Sequence, residues 1–270
     1  MIKRIVVSVL LVPLLFIVTL WAPEIILTVF VSVFSAIAVN ELLYNTKLVR
    51  HPRMLLYTMI MAFLVPLWCH FGCSYPAALI GMLAFYVLLF GELMLAHTKI
   101  PFSKAAMCTV AGVVIPVMLS SLTRIVIAPN GRYFIMLPFV VAFLSDVGGY
   151  FVGVTFGKHK LCPIVSPKKT VEGLIGGVLL AMVGMLIYGL ILQLCFGFSV
   201  NYFCVIVYGL IGSLAGVFGD LSFSVIKRQT GIKDYGNLIP GHGGVLDRFD
   251  SVIVVAPLIE ALLLLMPLVS

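Results

Sequence analysis

The chain has 270 residues, 62% of them hydrophobic and only 10% charged, with a mean hydropathy of +1.22. Hydrophobic runs recur along the whole length, so the composition excludes a soluble globular protein and leaves no room for a separate aqueous domain. The net charge of +7 would suggest nucleic acid in a soluble protein; here its distribution marks membrane topology, and no nucleic-acid partner is expected.

About 20 apolar residues span the hydrocarbon core, and on that rule about nine helices are predicted. They lie near residues 4–22, 25–44, 54–72, 77–96, 104–126, 133–156, 172–197, 202–228 and 250–268. The first begins like a signal peptide, but no small-residue cleavage site follows and it is read as a retained helix. With the N-terminus cytoplasmic, all but two of the 17 Lys and Arg fall on the inner side, the exceptions being Arg124 and Arg132. That asymmetry predicts an N-in, C-out arrangement. The expected fold class is all-α and polytopic, a single membrane domain over residues 1–270, with little chemistry in 1–130 and the catalytic part in 131–270.

Two inner connections are long, 157–170 and 229–248, and they must supply most of any site for a water-soluble ligand. Just before the first, Asp146 lies in LSDVGGYFVG as an acid inside an apolar helix. The first connection ends in SPKKTVEG (166–173), where Ser166, Pro167 and Thr170 read as a turn into a helix N-terminus, a favoured place for anions. Lys168 and Lys169 are its cations, although cytoplasmic lysines also serve lipid headgroups, and Glu172 falls in the first helical turn.

In the helix at 202–228, Gly209, Gly212, Gly216 and Gly219 are spaced 3, 4 and 3 and share one face, where another helix can approach closely. The stripe runs on into Asp220, Ser224 and Lys227, which places Asp220 between helices rather than in lipid. From Gly219 onward the chain reads GDLSFSVIKRQTGIKDYGNLIPGHGGVLDRFD, a gathering of charge that calls for a reason beside lipid. Asp247 and Asp250 project from the first turn of the last helix, where acids also serve as caps. With Asp220 they suit a divalent cation that keeps positions open for phosphate oxygens, with Asp146 as a further ligand or supporting partner. In PGHGG, the glycines Gly241, Gly243 and Gly244 permit close backbone approach suited to cradling phosphate. His242 reads as a phosphate contact or loop hydrogen-bonder before a general base. Glu41, Glu92 and Glu260 are acids in apolar runs with no assigned role; Glu260 supports a transporter reading.

The stretch from Ser224 to Asp250 resembles the signature of the phosphatidate cytidylyltransferases, and Asp146, GKHKL from Gly157 and SPKKTVEG are similar to that family's second block. Together these cover roughly a quarter of the chain. The resemblance implies an all-helical membrane enzyme, dimeric, that condenses CTP with phosphatidic acid to give CDP-diacylglycerol and pyrophosphate, with metal ligands at Asp220 and Asp247. The expected cofactor is Mg2+, with room for a second ion; Lys168, Lys169, Lys227, Arg228 and Arg248 divide the two anionic substrates, while Asp146 and Asp250 support the metal site. The family often carries an acid immediately before the signature serine, where this chain has Phe223. The short N-terminus suggests a bacterial inner membrane, with the site facing the cytoplasm. Two alternatives stand beside this reading: a membrane transporter, and an inactive scaffold of the same family.

Overall fold

Hydrocarbon offers no water to backbone N–H and C=O groups, so apolar runs of this length must close their hydrogen bonds within helices. A computed structural model of the chain bears this out; it describes residue 19 and residues 21–72, 74–96, 98–238 and 243–269. The helix expected near 4–22 falls almost wholly outside the described residues. Among the described residues, seven helices are long and apolar enough to cross a membrane. The chain divides into two units, each described by itself.

The first unit runs to Pro129 and takes in Gln229–Phe249. Its helices are α1 (Glu24–Asn40), which runs on into a π-helical turn at Glu41–Asn45, α2 (Pro52–His70), α3 (Tyr75–Leu95) and α4 (Phe102–Ile127). Prolines at the first turns of α2 and α3 stand where a missing N–H costs nothing. Helices α1, α2 and α4 pack on one another around Val39, Leu43, Met54, Ala62, Cys108 and Leu119. Buried hydroxyls in this core turn back on their own helices: Thr58 donates to the Met54 carbonyl at 2.6 Å and Ser35 to that of Val31 at 2.8 Å. Helix α3 is mostly exposed, presenting Ile80, Leu83, Val87 and Leu95, a surface suited to lipid.

The second unit comprises Asn130–Arg228 and Asp250–Ser270. After a single turn at Gly131–Phe134 come α5 (Leu137–Phe156), a hairpin of β1 (Lys160–Cys162) and β2 (Ser166–Thr170), α6 (Val171–Phe196) and α7 (Tyr202–Gln229). The last helix, α8 (Leu246–Leu265), begins in the first unit and continues in the second. The hairpin is the one sheet among the described residues, antiparallel with Lys160 opposite Thr170. SPKKT is thus a strand, where the sequence suggested a turn; the helix it was expected to introduce does follow at once. Helix α8 carries Asp247, Arg248, Asp250 and Glu260, more charge than the seven apolar spans found among the described residues hold in their apolar cores.

Helices α5 and α6 meet backbone to backbone. A Cβ added at Gly148 would lie 2.6 Å from the Gly176 carbonyl oxygen, and one at Gly173 would lie 2.7 Å from that of Gly149. The predicted stripe on α7 is a seam as well, but it serves three neighbours: Gly209 faces Met182 of α6, Gly212 faces Val141 of α5, and Gly219 faces the Asp250 carbonyl of α8. Small residues here let carbonyls and Cα atoms approach more closely than any side chain would permit.

Gly148→Ala should therefore destabilise the protein by roughly 1–3 kcal/mol through overpacking, since its methyl would also meet Leu180 Cβ at 2.8 Å. Gly91→Ala in α3, where an added Cβ meets nothing within 4 Å, should be neutral or stabilising by up to about 1 kcal/mol. Thermal unfolding in detergent separates the two, and equal shifts would deny the seam its role.

Candidate active site

The close approach of α5 and α6 leaves a cavity of about 270 Å³ at the hairpin, walled by glycine backbone at Gly149, Gly173 and Gly177. Into this volume the second unit brings Asp146 from α5, Lys168 and Lys169 from β2 and Asp220 from α7. The four come from three separate stretches of sequence, and the fold gathers them around one space. Lys169 Nζ lies 2.6 Å from Asp220 Oδ2, and the Ser224 hydroxyl donates to Asp220 Oδ1 at 3.1 Å. Asp146 and Lys168 are exposed at the rim, while Lys169 and Asp220 are about three-quarters buried.

A second pair stands in the same unit, Lys227 Nζ at 4.0 Å from Asp250 Oδ2, both side chains close to nine-tenths buried. Asp250 lies within electrostatic reach of Asp220 and Asp146 as well as Lys227. Asp250 thus shares a region with two further carboxylates and with Lys227, and a charge at such a place is tolerated only while it is compensated. The Ser145 hydroxyl, on a residue 3% exposed that lines the cavity, has no hydrogen-bond partner among the described residues. An unsatisfied buried hydroxyl is costly unless a ligand meets it.

The hairpin is held at both ends. Thr170 caps α6 by accepting from the Gly173 amide at 3.1 Å. Glu172 accepts from the amides of Lys158 at 3.1 Å and His159 at 3.2 Å and meets His159 Nδ1 at 2.6 Å. Near the tip, Arg228 Nε donates to the Val165 carbonyl at 3.1 Å. The α6 N-terminus, expected to receive anions, is therefore dressed by its own Thr170 and Glu172, and the lysines of β2 face the cavity beside it. Phe223 is buried and is not among the residues that line the cavity.

In the first unit, Asp247 Oδ2 accepts from the amides of Tyr235 at 2.7 Å and Gly244 at 3.0 Å. Gly243 has φ +88°, a left-handed backbone that glycine adopts without strain, and a Cβ there would sit 2.9 Å from the same oxygen. Arg248 is exposed. Gly241 and His242 lie outside the described residues. Glu41, which the sequence left without a role, accepts from the amides of Val245 at 3.0 Å and Leu246 at 2.8 Å. Its one signal in the sequence is that it is an acid in an apolar run; its partners stand more than 200 residues away. Among the described residues, no three His, Cys, Asp or Glu side chains form a group that would hold a metal ion by themselves.

A family model described as the cytidylyltransferase family matches residues 2–266. A phosphatidate cytidylyltransferase of Staphylococcus aureus (strain COL) is 35% identical over 244 residues, covering 88% of this chain and 90% of its own. One of Staphylococcus haemolyticus is 38% identical over 188 residues, or 69% of each chain, and one of Staphylococcus saprophyticus is 38% identical over 186 residues, or 68% of each. With the family model spanning almost the whole length and these relatives aligned along most of theirs, the chain belongs to the cytidylyltransferase family.

Proposed function

We propose that the protein transfers a cytidylyl group from CTP to phosphatidic acid, releasing pyrophosphate and leaving CDP-diacylglycerol in the membrane. The observation that carries this reading is the cavity lined by Asp146, Asp220, Lys168, Lys169 and a buried Ser145 whose hydroxyl has no hydrogen-bond partner among the described residues. A lipid phosphate oxygen attacks the α-phosphorus of CTP in line, a new P–O bond forms, and the bond to the β-phosphate oxygen breaks with pyrophosphate as the leaving group. Both reactants are polyanions, so Lys168 and Lys169 bind and screen them at the cavity, where charge-assisted hydrogen bonds to phosphate are strong. Ser145 donates to a phosphate oxygen there. Lys227 and Arg228 in the last turn of α7 and Arg248 in the first turn of α8 add positive charge, and Asp250 sets the position of Lys227.

The donor set fits a hard divalent cation, for which magnesium is our assignment. Asp146 and Asp220 offer oxygens only, and magnesium is ordinarily held by one or two carboxylates together with substrate phosphates rather than by a full protein cage. That habit accords with the absence of a three-ligand group among the described residues. When bound, the ion supplies charge neutralisation on phosphoryl oxygens, the main source of catalysis in such transfers. Asp247 keeps the ligand role that the family resemblance gives it, and the glycines 241, 243 and 244 keep their place beside phosphate. We further propose that residues 1–270 act as one catalytic domain, as a homodimer, in the cytoplasmic membrane of a bacterium. The inward distribution of Lys and Arg supports an N-in topology with the site toward the nucleotide pool. The buried Phe223, away from the cavity lining, leaves the carboxylates there intact and speaks against an inactive scaffold.

Purified protein in detergent, given labelled CTP, phosphatidic acid and magnesium, should form a lipid-soluble labelled product, and omission of either magnesium or phosphatidic acid should prevent it. Product formed without phosphatidic acid would refute the proposal. Asp220→Asn and Asp247→Asn should each lower kcat by about 10²-fold or more, the scale of a lost transition-state charge interaction, in protein that still inserts and folds. Lys169→Ala should raise the half-saturating concentration of CTP or phosphatidic acid about tenfold, the size of a lost charge-assisted hydrogen bond of roughly 1.5–3 kcal/mol; unchanged saturation curves would remove it from the substrate site.

A further inference from the structure

We infer that Glu41 is a positioning residue for this reaction: from the π-turn at the end of α1 its carboxylate holds the first turn of α8 and so fixes the segment that carries Asp247. The inference rests on the cytidylyl-transfer reading above. Glu41 is 3% exposed in an otherwise apolar span, where a carboxylate is costly unless donors meet it. The donors that meet it are the amides of Val245 and Leu246. They stand at the start of a helix, where amides have no partner within the helix and the backbone dipoles favour negative charge. A protein carboxylate therefore fills the α8 N-terminus, a place that would otherwise attract a substrate phosphate.

The loop is shaped to this contact. A Cβ at Gly236 or at Gly244 would collide with the Glu41 carboxylate, so the chain lies flush against it on both sides of the turn. Asn45, at the other end of the π-turn, donates to the Tyr235 carbonyl at 2.5 Å. Asp247, the residue after Leu246, grips the Tyr235 and Gly244 amides with its own Oδ2. Glu41 and Asn45 thus hold from one side the segment that Asp247 holds from the other. Among the described residues, the two hydrogen bonds that Glu41 accepts come from this segment, and neither comes from α2, α3 or α4. Its loss should free Asp247 without unpacking the helices. π-Turns inside α-helices recur at functional positions, and this one carries both of the side chains that reach the loop.

The test is Glu41→Gln, which presents one acceptor oxygen where two amides need two. We expect kcat to fall about 10- to 100-fold, the scale of a small misplacement of a reacting group, while KM for CTP and for phosphatidic acid changes less than about threefold. Deuterium exchange should quicken at Gly244, Val245 and Leu246 and stay unchanged in α2 and α4. Glu41→Asp, which keeps both oxygens on a shorter arm, should fall between wild type and Gln. A folded Glu41→Gln protein with wild-type kcat and wild-type exchange overturns the inference. So does exchange that quickens equally throughout α1, α2 and α4, which would make Glu41 a general stabiliser. If Glu41→Gln does not insert, Gly236→Ala drives a methyl against the same carboxylate from a residue with no substrate role; it should give the same kcat loss and exchange pattern, and wild-type values would overturn the inference. An inactive wild-type protein would strike down the cytidylyl-transfer reading instead, and exchange in the variants would still decide whether Glu41 holds the segment.

Discussion

A carboxylate surrounded by apolar side chains is tolerated only where hydrogen-bond donors or cations meet it. That constraint organises this molecule. Glu41 receives two helix-start amides, Glu172 two loop amides and an imidazole, Asp247 two loop amides, Asp220 a lysine and a serine, and Asp250 a lysine. Glu92, buried on α3, lies 3.4 Å from Arg53 Nη1, 3.3 Å from the Tyr57 hydroxyl and 3.9 Å from His51 Nε2. Except for the serine that meets Asp220 from its own helix, each partner lies outside the secondary-structure element of the acid it meets. Charge compensation is therefore also what ties elements together at the points where apolar packing, which has no direction, cannot specify a register.

The glycines make the complementary contribution. Where α5 and α6 approach through backbone, Gly148 against the Gly176 carbonyl and Gly173 against the Gly149 carbonyl, the hairpin at the end of α5 can fold back over the seam. The cavity is a result of that economy of volume: its walls are partly main chain, and Leu161, Leu174 and Val217 line it beside the polar and charged side chains. Hairpin and seam depend on each other through Thr170, which belongs to β2, caps α6, and would meet a Cβ at Gly153, Gly157 or Gly173.

Most helices could be read from the sequence because the signal, a long apolar run, is local. The helix predicted near 172–197 is Val171–Phe196, and the one near 202–228 is Tyr202–Gln229. The charged residues of the site were legible for the same reason, since charge stands out in an apolar chain. Pairing was not legible. Lys169 and Asp220 were both marked, yet their contact depends on how β2 and α7 are brought together, which no spacing reveals. The hairpin escaped notice because β1 and β2 are only 3 and 5 residues long and Pro167 argues for a turn. Glu41 was seen as an oddity and nothing more, because its meaning lies in amides at the far end of the chain.

The separation of Glu41 from those amides bears on how the protein is made. A ribosome delivers α1 to the membrane long before Val245 and Leu246 exist, the nearer of the two standing 204 positions after Glu41. Through most of synthesis this carboxylate must be satisfied by water or headgroups at the bilayer edge, or carry a proton. It can take up its final partners only after the last charged segment has emerged. The closing of that contact is thus a late step in assembly, and the entropy of joining such distant points, which grows slowly with loop length, falls on a contact between charge and backbone rather than on an apolar one.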